Sequence, residues 1–459
     1  MYKIDFQHPI HIYFIGIGGI SMSGLAEILL TEHFKISGSD MKQSPLTESL
    51  REKGASVYYG QNTSNLTSDI DLVVYTSAIH PDNPEYIAMK ELQLPSLTRA
   101  ELLGQMMKNY KLPIAVSGTH GKTTTTSMVS EILLENGSDP TLSIGGIFKT
   151  IGGNIRIGKS EYFVTEACEY TNSFLSFFPK IGMILNIEED HLDFFKDIRD
   201  IRDSFHKFAL LLPSDGALII NGDIDNYEEI TEGVACRVIT YGFSADSDYS
   251  CSGISYDGLA HATFTLNRKS GSSESFSLMV PGEHNVSNAL AAIALADLLS
   301  IQDSVVKKAL LHFSGTDRRF EYKGKINGLT IIDDYAHHPT EITATLKAAA
   351  NYPHKTLWCL FQPHTYTRTK AFLQEFAQAL SLSDKIVLAD IYAARETDTL
   401  GISSADLQKE LEKLGKECYY LPSFEAIEKF LLKNCREDDL LITMGAGDIV
   451  KIGENLLQK

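Results

Sequence analysis

The sequence contains few cysteines, and none of them forms a short paired motif. Only six occur among 459 residues, and no two are separated by just two residues. This pattern is typical of reduced intracellular thiols and gives no indication of a disulfide or zinc framework. We therefore expect no structural disulfide. The six are Cys168, Cys236, Cys251, Cys359, Cys418 and Cys435.

Long apolar runs are also missing from the sequence. No segment approaches the roughly 20 consecutive apolar residues that a helix needs to cross a bilayer. Near the N-terminus, Asp5, Gln7 and His8 interrupt any apolar stretch of the kind that a secretory signal requires. These observations predict a cytoplasmic protein with no membrane partner.

Basic residues are scarce relative to acidic ones. The chain has 41 Lys and Arg against 59 Asp and Glu, for a formal net charge of -18. Such a charge argues against nucleic acid as the main partner, because the phosphate backbone would be repelled. A local basic cleft could still receive a phosphorylated substrate.

The length indicates about three domains, since domains average roughly 150 residues. Short apolar runs alternate with helical stretches through most of the chain, which is typical of an α/β fold with parallel sheets. We predict an N-terminal Rossmann-like domain, a central P-loop-type ATPase domain and a C-terminal Rossmann-like domain. The predicted boundaries are 1–105, 106–317 and 318–459.

The first segment opens with a strand, a glycine cluster and a helix. The strand is expected at 10–15 and the helix near Ile20–Leu30, and a second strand near Phe34–Ser37 precedes a helix with Ser44 as its N-cap. Pro45 suits the first position of that helix.

The glycine cluster predicts a pyrophosphate-binding turn. Gly16, Gly18 and Gly19 follow the strand, and Asp40 lies about twenty residues further on, as in nicotinamide-dinucleotide sites. Position 21 is Ser where that fingerprint has a third glycine. A UDP-sugar therefore fits as well as NAD, and close packing of the helix on its strand is a structural alternative.

The strongest local signal is the phosphate loop GTHGKTTT at 118–125. It follows a predicted strand at Leu112–Ser117 and precedes a helix predicted at Thr125–Leu134. Lys122 is expected to contact the β- and γ-phosphates of a nucleotide and Thr123 to bind Mg²⁺. The spacing departs from the standard P-loop, and a simple glycine turn that caps the helix is the alternative reading.

Two polar residues follow later strands of the second segment. Glu166 ends a strand predicted at 161–166, from which its carboxylate would reach a magnesium ion on the phosphate loop. His191 follows a strand predicted at 181–187. Chemistry alone makes it a surface histidine or one that supports a neighbouring ligand, since Mg²⁺ prefers oxygen ligands.

Three further motifs carry polar residues. In GEHNVSNA (282–289), Asn285 or Ser287 is either a helix cap or a binding residue. DRRFE (317–321) brings two guanidinium groups to a predicted hinge. DDYAHHPTE (333–341) contains adjacent histidines, but no third ligand follows at a recognisable spacing, so the sequence gives no indication of zinc there.

Taken in order, these motifs resemble the Mur ligase family over nearly the whole chain. The motifs are FIGIGGISMSG (14–24), GTHGKTTT (118–125), EACEY (166–170), DHLD (190–193), GEHNVSNA (282–289), DRRFE (317–321), DDYAHHPTE (333–341) and QPHTYTRT (362–369). The family uses the shorter phosphate loop, so the departure from the standard spacing agrees with the resemblance.

The resemblance implies roles for individual residues. It implies that Lys122, Glu166 and His191 are catalytic, and that Thr123, Glu166 and His191 bind Mg²⁺. Cys168 stands where many relatives have Asp, and we assign it no metal role. The implied ATP-binding residues are Gly118, Thr119, His120, Gly121, Lys122, Thr123, Thr124, His284, Asn288, Arg319 and Asp334. The implied substrate-binding residues are Gly16, Gly18, Gly19, Asp40, Ser77, Arg368 and Arg395.

The activity implied by the resemblance is ATP-dependent ligation of L-alanine to UDP-N-acetylmuramate. An acyl phosphate would be the intermediate, ADP and phosphate would be products, and the reaction would serve peptidoglycan precursor synthesis in a monomer or weak homodimer. Three alternatives remain open: a recycling ligase that attaches a preformed peptide, an NAD-dependent oxidoreductase, and a UDP-sugar sensor that binds ATP as a switch.

Overall fold

A computed structural model describes residues 2–76, 78–394 and 396–459. The predicted substrate residues Ser77 and Arg395 lie outside the described residues. The described chain forms an α/β fold of three domains, each built on its own sheet. Among the described residues, no helix is long and apolar enough to cross a membrane.

The N-terminal sheet is fully parallel with strand order β3-β2-β1-β4-β5. This order is the one expected of a Rossmann-like sheet: β2 and β3 lie on one side of β1, and the chain then crosses over to add β4 and β5 on the other side. The elements are β1 (His11–Ile15), α1 (Ile20–Thr31), β2 (Lys35–Asp40), α2 (Pro45–Glu52), β3 (Ser56–Tyr59), β4 (Leu72–Tyr75), α3 (Pro84–Glu91), β5 (Ser96–Thr98) and α4 (Arg99–Met107).

The central sheet has ten strands in the order β15-β14-β13-β12-β11-β10-β6-β9-β7-β8. The elements are β6 (Leu112–Ser117), α5 (Lys122–Glu135), β7 (Thr141–Phe148), β8 (Gly153–Arg156), β9 (Tyr162–Ala167), β10 (Ile181–Ile184), α6 (Ile198–Ala209), β11 (Ala217–Asn221), α7 (Tyr227–Thr231), β12 (Arg237–Tyr241), β13 (Tyr249–Tyr256), β14 (His261–Arg268), β15 (Ser273–Pro281), α8 (Glu283–Leu298) and α9 (Asp303–His312). The strands from β13 to β7 pair in parallel, and antiparallel pairing adds β14 and β15 at one edge and β8 at the other.

The third sheet has the order β16-β17-β21-β18-β19-β20, and only β16 is antiparallel to its neighbour. The elements are β16 (Glu321–Ile326), β17 (Leu329–Asp334), α10 (Pro339–Ala350), β18 (Leu357–Phe361), α11 (Tyr366–Ala371), α12 (Leu373–Leu380), β19 (Lys385–Leu388), α13 (Ser404–Lys413), β20 (Glu417–Tyr420), α14 (Phe424–Asn434), β21 (Leu440–Met444) and α15 (Val450–Leu457).

One hydrophobic core continues from the first sheet into the central one. It includes Phe14 and Met106 from the first and Phe174 and Phe208 from the second, all fully buried. At this junction, Gly104 of α4 packs so closely that an added Cβ would lie 1.9 Å from the carbonyl oxygen of Ser176. The first two domains are therefore in intimate contact.

The strand and helix predictions are correct in type; β6 has its predicted bounds, and other elements are shifted at their ends. Ser44 is the N-cap of α2, as predicted, and its hydroxyl accepts a hydrogen bond from Thr47 N. Helix α5 begins at Lys122, three residues before the predicted start, because burial of Thr125 and Thr126 outweighs the low helix propensity of threonine. Strand β10 ends at Ile184, so the residues from 185 to 187 belong to a loop.

The prediction of a parallel central sheet is incomplete. The hairpin of β7 and β8 and the antiparallel pairing of β14 with β13 and β15 were not predicted. Strands β13 to β15 have one solvent-facing side, so their apolar residues alternate with polar ones and form no continuous run. In 282–289, neither Asn285 nor Ser287 is the N-cap of α8, because Gly282 holds that position.

Candidate functional site

The phosphate loop joins β6 to α5 through two glycines with positive φ. Gly118 has φ +143° and Gly121 has φ +80°, conformations that residues with a Cβ rarely adopt. Gly121 is the N-cap of α5 and gives it no side-chain hydrogen bond, so the first amide groups of the helix remain available to an anion.

Asn186, which the sequence reasoning missed, holds this loop in shape. Its Oδ1 accepts a hydrogen bond from His120 N at 2.7 Å, and its Nδ2 donates to His120 O at 3.1 Å. Because Asn186 follows β10, the neighbour of β6, the adjacent strand fixes the path of the loop. A single asparagine within the otherwise apolar run at 181–187 was the available signal.

Lys122 lies over the loop with its charge directed at backbone oxygens and one carboxylate. Its ammonium group donates to the carbonyl oxygens of Gly118 and Thr119 and lies 3.0 Å from Glu169 Oε2. Burial opposes the charge of Lys122, but the neighbouring Glu169 outweighs it and raises the pKa of the lysine. The ammonium group is therefore charged and held where phosphates would meet the loop. Glu169 was inside a quoted motif but was not predicted to have a role.

Thr123 and Glu166 form a pair suited to a magnesium ion. Thr123 Oγ1 donates to Glu166 Oε2 at 3.1 Å, and two adjacent ligands of an octahedral Mg²⁺ with bonds of about 2.1 Å lie about 3.0 Å apart. Burial raises the pKa of Glu166, although hydrogen bonds from Gly145 N and Thr123 oppose this. A partly buried carboxylate of this kind gains from a bound cation, so the two residues fit the ion.

Gly145 makes the position of Glu166 possible. The backbone N of Gly145 donates to Glu166 Oε1 at 2.5 Å, and an added Cβ at Gly145 would lie 2.6 Å from Glu166 Oε2. Gly145 belongs to β7, an element whose strand character the sequence reasoning missed.

His191 is half-buried in the loop after β10 and lies next to carboxylates. Its Nε2 is 3.7 Å from Glu169 Oε1 and 3.8 Å from Asp190 Oδ2, and its ring packs at a tilt of 31° against Tyr170 with centroids 4.5 Å apart. Burial is the main cause that lowers the pKa of His191 and favours a neutral imidazole with a lone pair. Its role as a metal ligand stays a prediction.

A cavity of about 230 Å³ opens beside the phosphate loop. It is walled by the loop, by α8 of the central domain and by the start of the third domain. Seven of the predicted nucleotide residues line it together: His120, Gly121, Thr124, His284, Asn288, Arg319 and Asp334. His120 and Asp334 are far apart in sequence, and it is the fold that brings them to the same cavity.

The two hinge arginines have different surroundings. Arg318 donates to Asp333 Oδ2 at 3.0 Å and to the carbonyl oxygens of Gly445 and Gly447, so it holds the third sheet together. Arg319 lines the cavity and lies over the ring of Tyr335 at 5.1 Å. Burial raises the pKa of Asp334 to about 6, an effect that Arg319 opposes.

A second, larger cleft of about 630 Å³ lies between the central and third domains. His191 and Asp190 line one side, and Arg368 and His364 line the other. Arg368 donates from Nη2 to Asp190 Oδ1 at 2.9 Å and from Nε to the same oxygen at 3.2 Å. The structure thus brings the predicted substrate residue Arg368 beside the predicted metal ligand His191.

Asp40 contacts the glycine cluster of the first domain through a hydrogen bond. Gly18 N donates to Asp40 Oδ2 at 2.8 Å, and an added Cβ at Gly18 would lie 2.7 Å from that oxygen. Gly16 has φ +82°, and its N–H donates to Ser39 O. Asp40 therefore supports the glycine turn through the backbone of Gly18, which differs from the ribose contact typical of a dinucleotide site.

Arg99 is a further candidate that the sequence reasoning missed. It is half-buried at the start of α4, and among the described residues its one hydrogen-bonding partner is Ser21 Oγ at 3.1 Å. Burial lowers the pKa of Arg99, and the described chain gives it no carboxylate partner. A guanidinium group with unused donors beside the N-terminus of α1 is suited to an anionic ligand.

Comparisons with known proteins identify a family for every domain. Residues 11–111 match the Mur ligase family catalytic domain, residues 116–296 the Mur ligase middle domain, and residues 318–447 the Mur ligase glutamate ligase domain. The chain is 62% identical to the UDP-N-acetylmuramate–L-alanine ligase of Lachnospira eligens and 61% identical to that of Agathobacter rectalis. Each match covers 100% of both chains.

Solved structures show the same architecture. The UDP-N-acetylmuramate-alanine ligase of Thermotoga maritima is similar with a TM-score of 0.81 and 29% identity, and the match covers 98% of each chain. The murein peptide ligase of Psychrobacter arcticus is similar with a TM-score of 0.71 and 26% identity over 98% of each chain. These matches extend over all three domains, and the chain belongs to the Mur ligase family.

Proposed function

We propose that this protein is an ATP-dependent ligase that joins L-alanine to UDP-N-acetylmuramate in peptidoglycan precursor synthesis. The observation that carries the proposal is the chain of contacts from the phosphate loop to the second cleft: Lys122 lies 3.0 Å from Glu169, and Glu169 lies 3.7 Å from His191, which lines the same cleft as Arg368. The names of full-length relatives at 50–62% identity support the choice of substrates.

ATP would bind in the cavity with its triphosphate over the phosphate loop, where it supplies the transferable phosphoryl group. The free amides at the start of α5 and the ammonium group of Lys122 would stabilise the charge on that group. Lys122 would then exchange part of its contact with Glu169 for phosphate oxygens. Thr123 and Glu166 are the oxygen ligands that support a bound Mg²⁺.

In the proposed first step, a carboxylate oxygen of the muramate attacks the γ-phosphorus, and ADP leaves with the electrons of the broken bond. In the second step, the amine of L-alanine attacks the acyl carbon, loses a proton and expels phosphate. Neither step requires a protein nucleophile. Arg368 is the side chain suited to hold the α-carboxylate of L-alanine, because its guanidinium group lies in the same cleft as His191.

The first domain would bind the UDP-sugar. The turn at Gly16, Gly18 and Gly19 precedes α1, and the guanidinium group of Arg99 is directed at Ser21 of the same helix. The first turn of α1, which has no side-chain cap, and Arg99 would together offer backbone amides and one positive charge to a pyrophosphate. The carboxylate of the muramate would then extend toward Lys122.

The proposal is tested by phosphate release from the purified protein with Mg-ATP. We expect release only when UDP-N-acetylmuramate and L-alanine are both present, and no ligated product from Lys122→Ala. Phosphate release at the same rate with and without UDP-N-acetylmuramate would refute the ligase proposal. Faster turnover with a preformed tripeptide than with L-alanine would refute the choice of acceptor and indicate a recycling ligase.

A further inference from the structure

Two imidazoles and a carboxylate from three parts of the chain meet at the boundary between the central and third domains. They are His120 in the phosphate loop, Glu188 after β10, and His338 at the start of α10. One potential ligand atom from each lies within 4.8 Å of the others. The rings of His120 and His338 have centroids 4.7 Å apart.

His120 has one ring nitrogen in use and one without a hydrogen-bond partner. With the proton on Nδ1, the ring donates to Glu341 Oε1 at 3.2 Å. Its Nε2 is buried, has no hydrogen-bond partner among the described residues, and lies 3.6 Å from Glu188 Oε2. A histidine that ligates a metal usually donates its other ring N–H to a carboxylate or carbonyl, as His120 does here.

The other two residues are also held in place from outside the cluster. His338 is almost fully buried, with Nε2 3.0 Å from Glu189 O and Nδ1 close to Thr340 N. Glu188 Oε2 accepts a hydrogen bond from Thr340 Oγ1 at 2.5 Å. Neighbouring groups therefore hold all three side chains in place, and an ion would have to displace one of the two hydrogen bonds of the His338 ring.

We propose that His120, Glu188 and His338 form a binding site for a divalent transition-metal ion of the zinc class. Two imidazoles and one carboxylate are typical ligands of zinc, whereas Mg²⁺ prefers oxygen ligands. Bonds of about 2.0 Å in a tetrahedral site imply ligand separations of about 3.3 Å, which small side-chain rotations supply from the observed positions. The site is separate from Thr123 and Glu166.

A bound ion would connect the phosphate loop to the first turn of α10 in the third domain. It would take the place of a proton on His120 Nε2, the nitrogen that faces Glu188, while the proton on Nδ1 would stay with Glu341. Because His120 and Glu188 also line the nucleotide cavity, the ion would hold that cavity closed on one side.

The test is metal binding by the full-length protein in excess Mg²⁺. We expect Co²⁺ to give the visible absorption of a tetrahedral site and Zn²⁺ to abolish it by displacement. His338→Gln and Glu188→Gln should each weaken Zn²⁺ binding at least about tenfold. His312→Gln is the matched control: His312 lies 3.6 Å from Glu135, and within the described part of the chain it belongs to no group of three potential ligands, so the variant should bind as the wild type does.

Anomalous diffraction from Zn²⁺-soaked crystals locates the ion independently of any variant. A peak between His120, Glu188 and His338 supports the proposal, and a peak only beside Glu166 refutes it. The proposal would also be refuted if the wild-type protein showed no tetrahedral Co²⁺ absorption, or if the variants kept their Zn²⁺ affinity. The cluster would then be an ion pair between His120 and its neighbouring carboxylates.

Discussion

At the scale of single residues, the absence of a side chain at Gly145 decides where the Glu166 carboxylate can lie. We predict that Gly145→Ala lowers the affinity for Mg²⁺ at least about tenfold, because the added Cβ would lie 2.6 Å from Glu166 Oε2 and displace it. The measurement is the Mg²⁺ dependence of phosphate release.

Gly153 provides the control for this substitution. It lies in the same hairpin of β7 and β8, and no atom lies within 4 Å of a Cβ added there. Gly153→Ala should retain the wild-type dependence on Mg²⁺. Equal loss in both variants would mean that the hairpin as a whole, and not the Glu166 contact, is sensitive to an added methyl group.

Arg99 carries a prediction about the sugar nucleotide. We expect Arg99→Ala to raise the KM for UDP-N-acetylmuramate by roughly thirtyfold, which corresponds to about 2 kcal/mol for the loss of one half-buried charge contact, and to leave the KM for ATP unchanged. Steady-state kinetics measure both values.

Arg51 offers a comparison within the same domain, since it is exposed and paired with Glu48 at 3.2 Å. Arg51→Ala should leave both KM values as they are. If Arg99→Ala changed the KM for ATP as much as that for the sugar, Arg99 would be a structural residue and not a contact for the substrate.

At the scale of elements, helix α5 has a glycine with positive φ beside each end. Gly121 precedes it with φ +80°, and Gly137 follows it with φ +70°. Alanine at either position should cost about 1–2 kcal/mol of unfolding free energy, because left-handed backbone is unfavourable for a residue with a Cβ.

Only one of the two substitutions should affect the nucleotide. A Cβ at Gly121 would lie 2.7 Å from Asn288 Oδ1 in the cavity, whereas nothing lies within 4 Å of a Cβ at Gly137. We expect Gly121→Ala to weaken ATP binding at least about tenfold and Gly137→Ala to leave it unchanged, as measured by calorimetric titration. Equal ATP affinity in the two variants would contradict the proposed path of the triphosphate.

Sequence patterns predicted well those elements that have a local signal. The phosphate loop and the α2 cap follow from the order of a few neighbouring residues, and the structure has the loop directly before α5 and Ser44 at the α2 cap. Strand β7 carries two glycines and only short apolar stretches, so its sequence gives little local signal for a strand. It lies beside Glu166 because it pairs with β9, and pairing between distant strands is not encoded in a local pattern.

The same limit applies to the site residues. His120 and Asp334 were predicted from separate motifs, and the fold brings them to one cavity. Arg99 and Glu169 were missed because an isolated charge in the sequence usually belongs to an exposed surface. Their importance appears only when burial and the partners around them are known.

At the scale of the whole molecule, the third domain is held to the central one by a row of polar contacts along the 188–190 segment. Thr340 donates to Glu188, His338 lies 3.0 Å from Glu189 O, and Arg368 pairs with Asp190. These contacts close the cleft in which the acyl phosphate would form. Closure would exclude water that otherwise hydrolyses the intermediate.

The Asp190 to Arg368 pair is the contact whose loss should open the cleft. Both side chains are nearly buried, at 7% and 10% exposure. Asp190→Asn keeps an oxygen that can accept from His191 N but removes the charge that Arg368 faces. We expect the closed state to lose about 2 kcal/mol, the range for a hydrogen bond between charged groups. More phosphate should then be released per ligated product, and the radius of gyration in solution should increase.

Asp193→Asn distinguishes loss of this contact from general disturbance of the loop. Asp193 is exposed on the same segment, and its carboxylate accepts a hydrogen bond from Tyr170 OH at 2.7 Å, within the central domain. This variant should keep the wild-type ratio of phosphate to product. If Asp190→Asn kept that ratio too, while only the KM for L-alanine rose, then Asp190 would position Arg368 for the substrate without controlling closure.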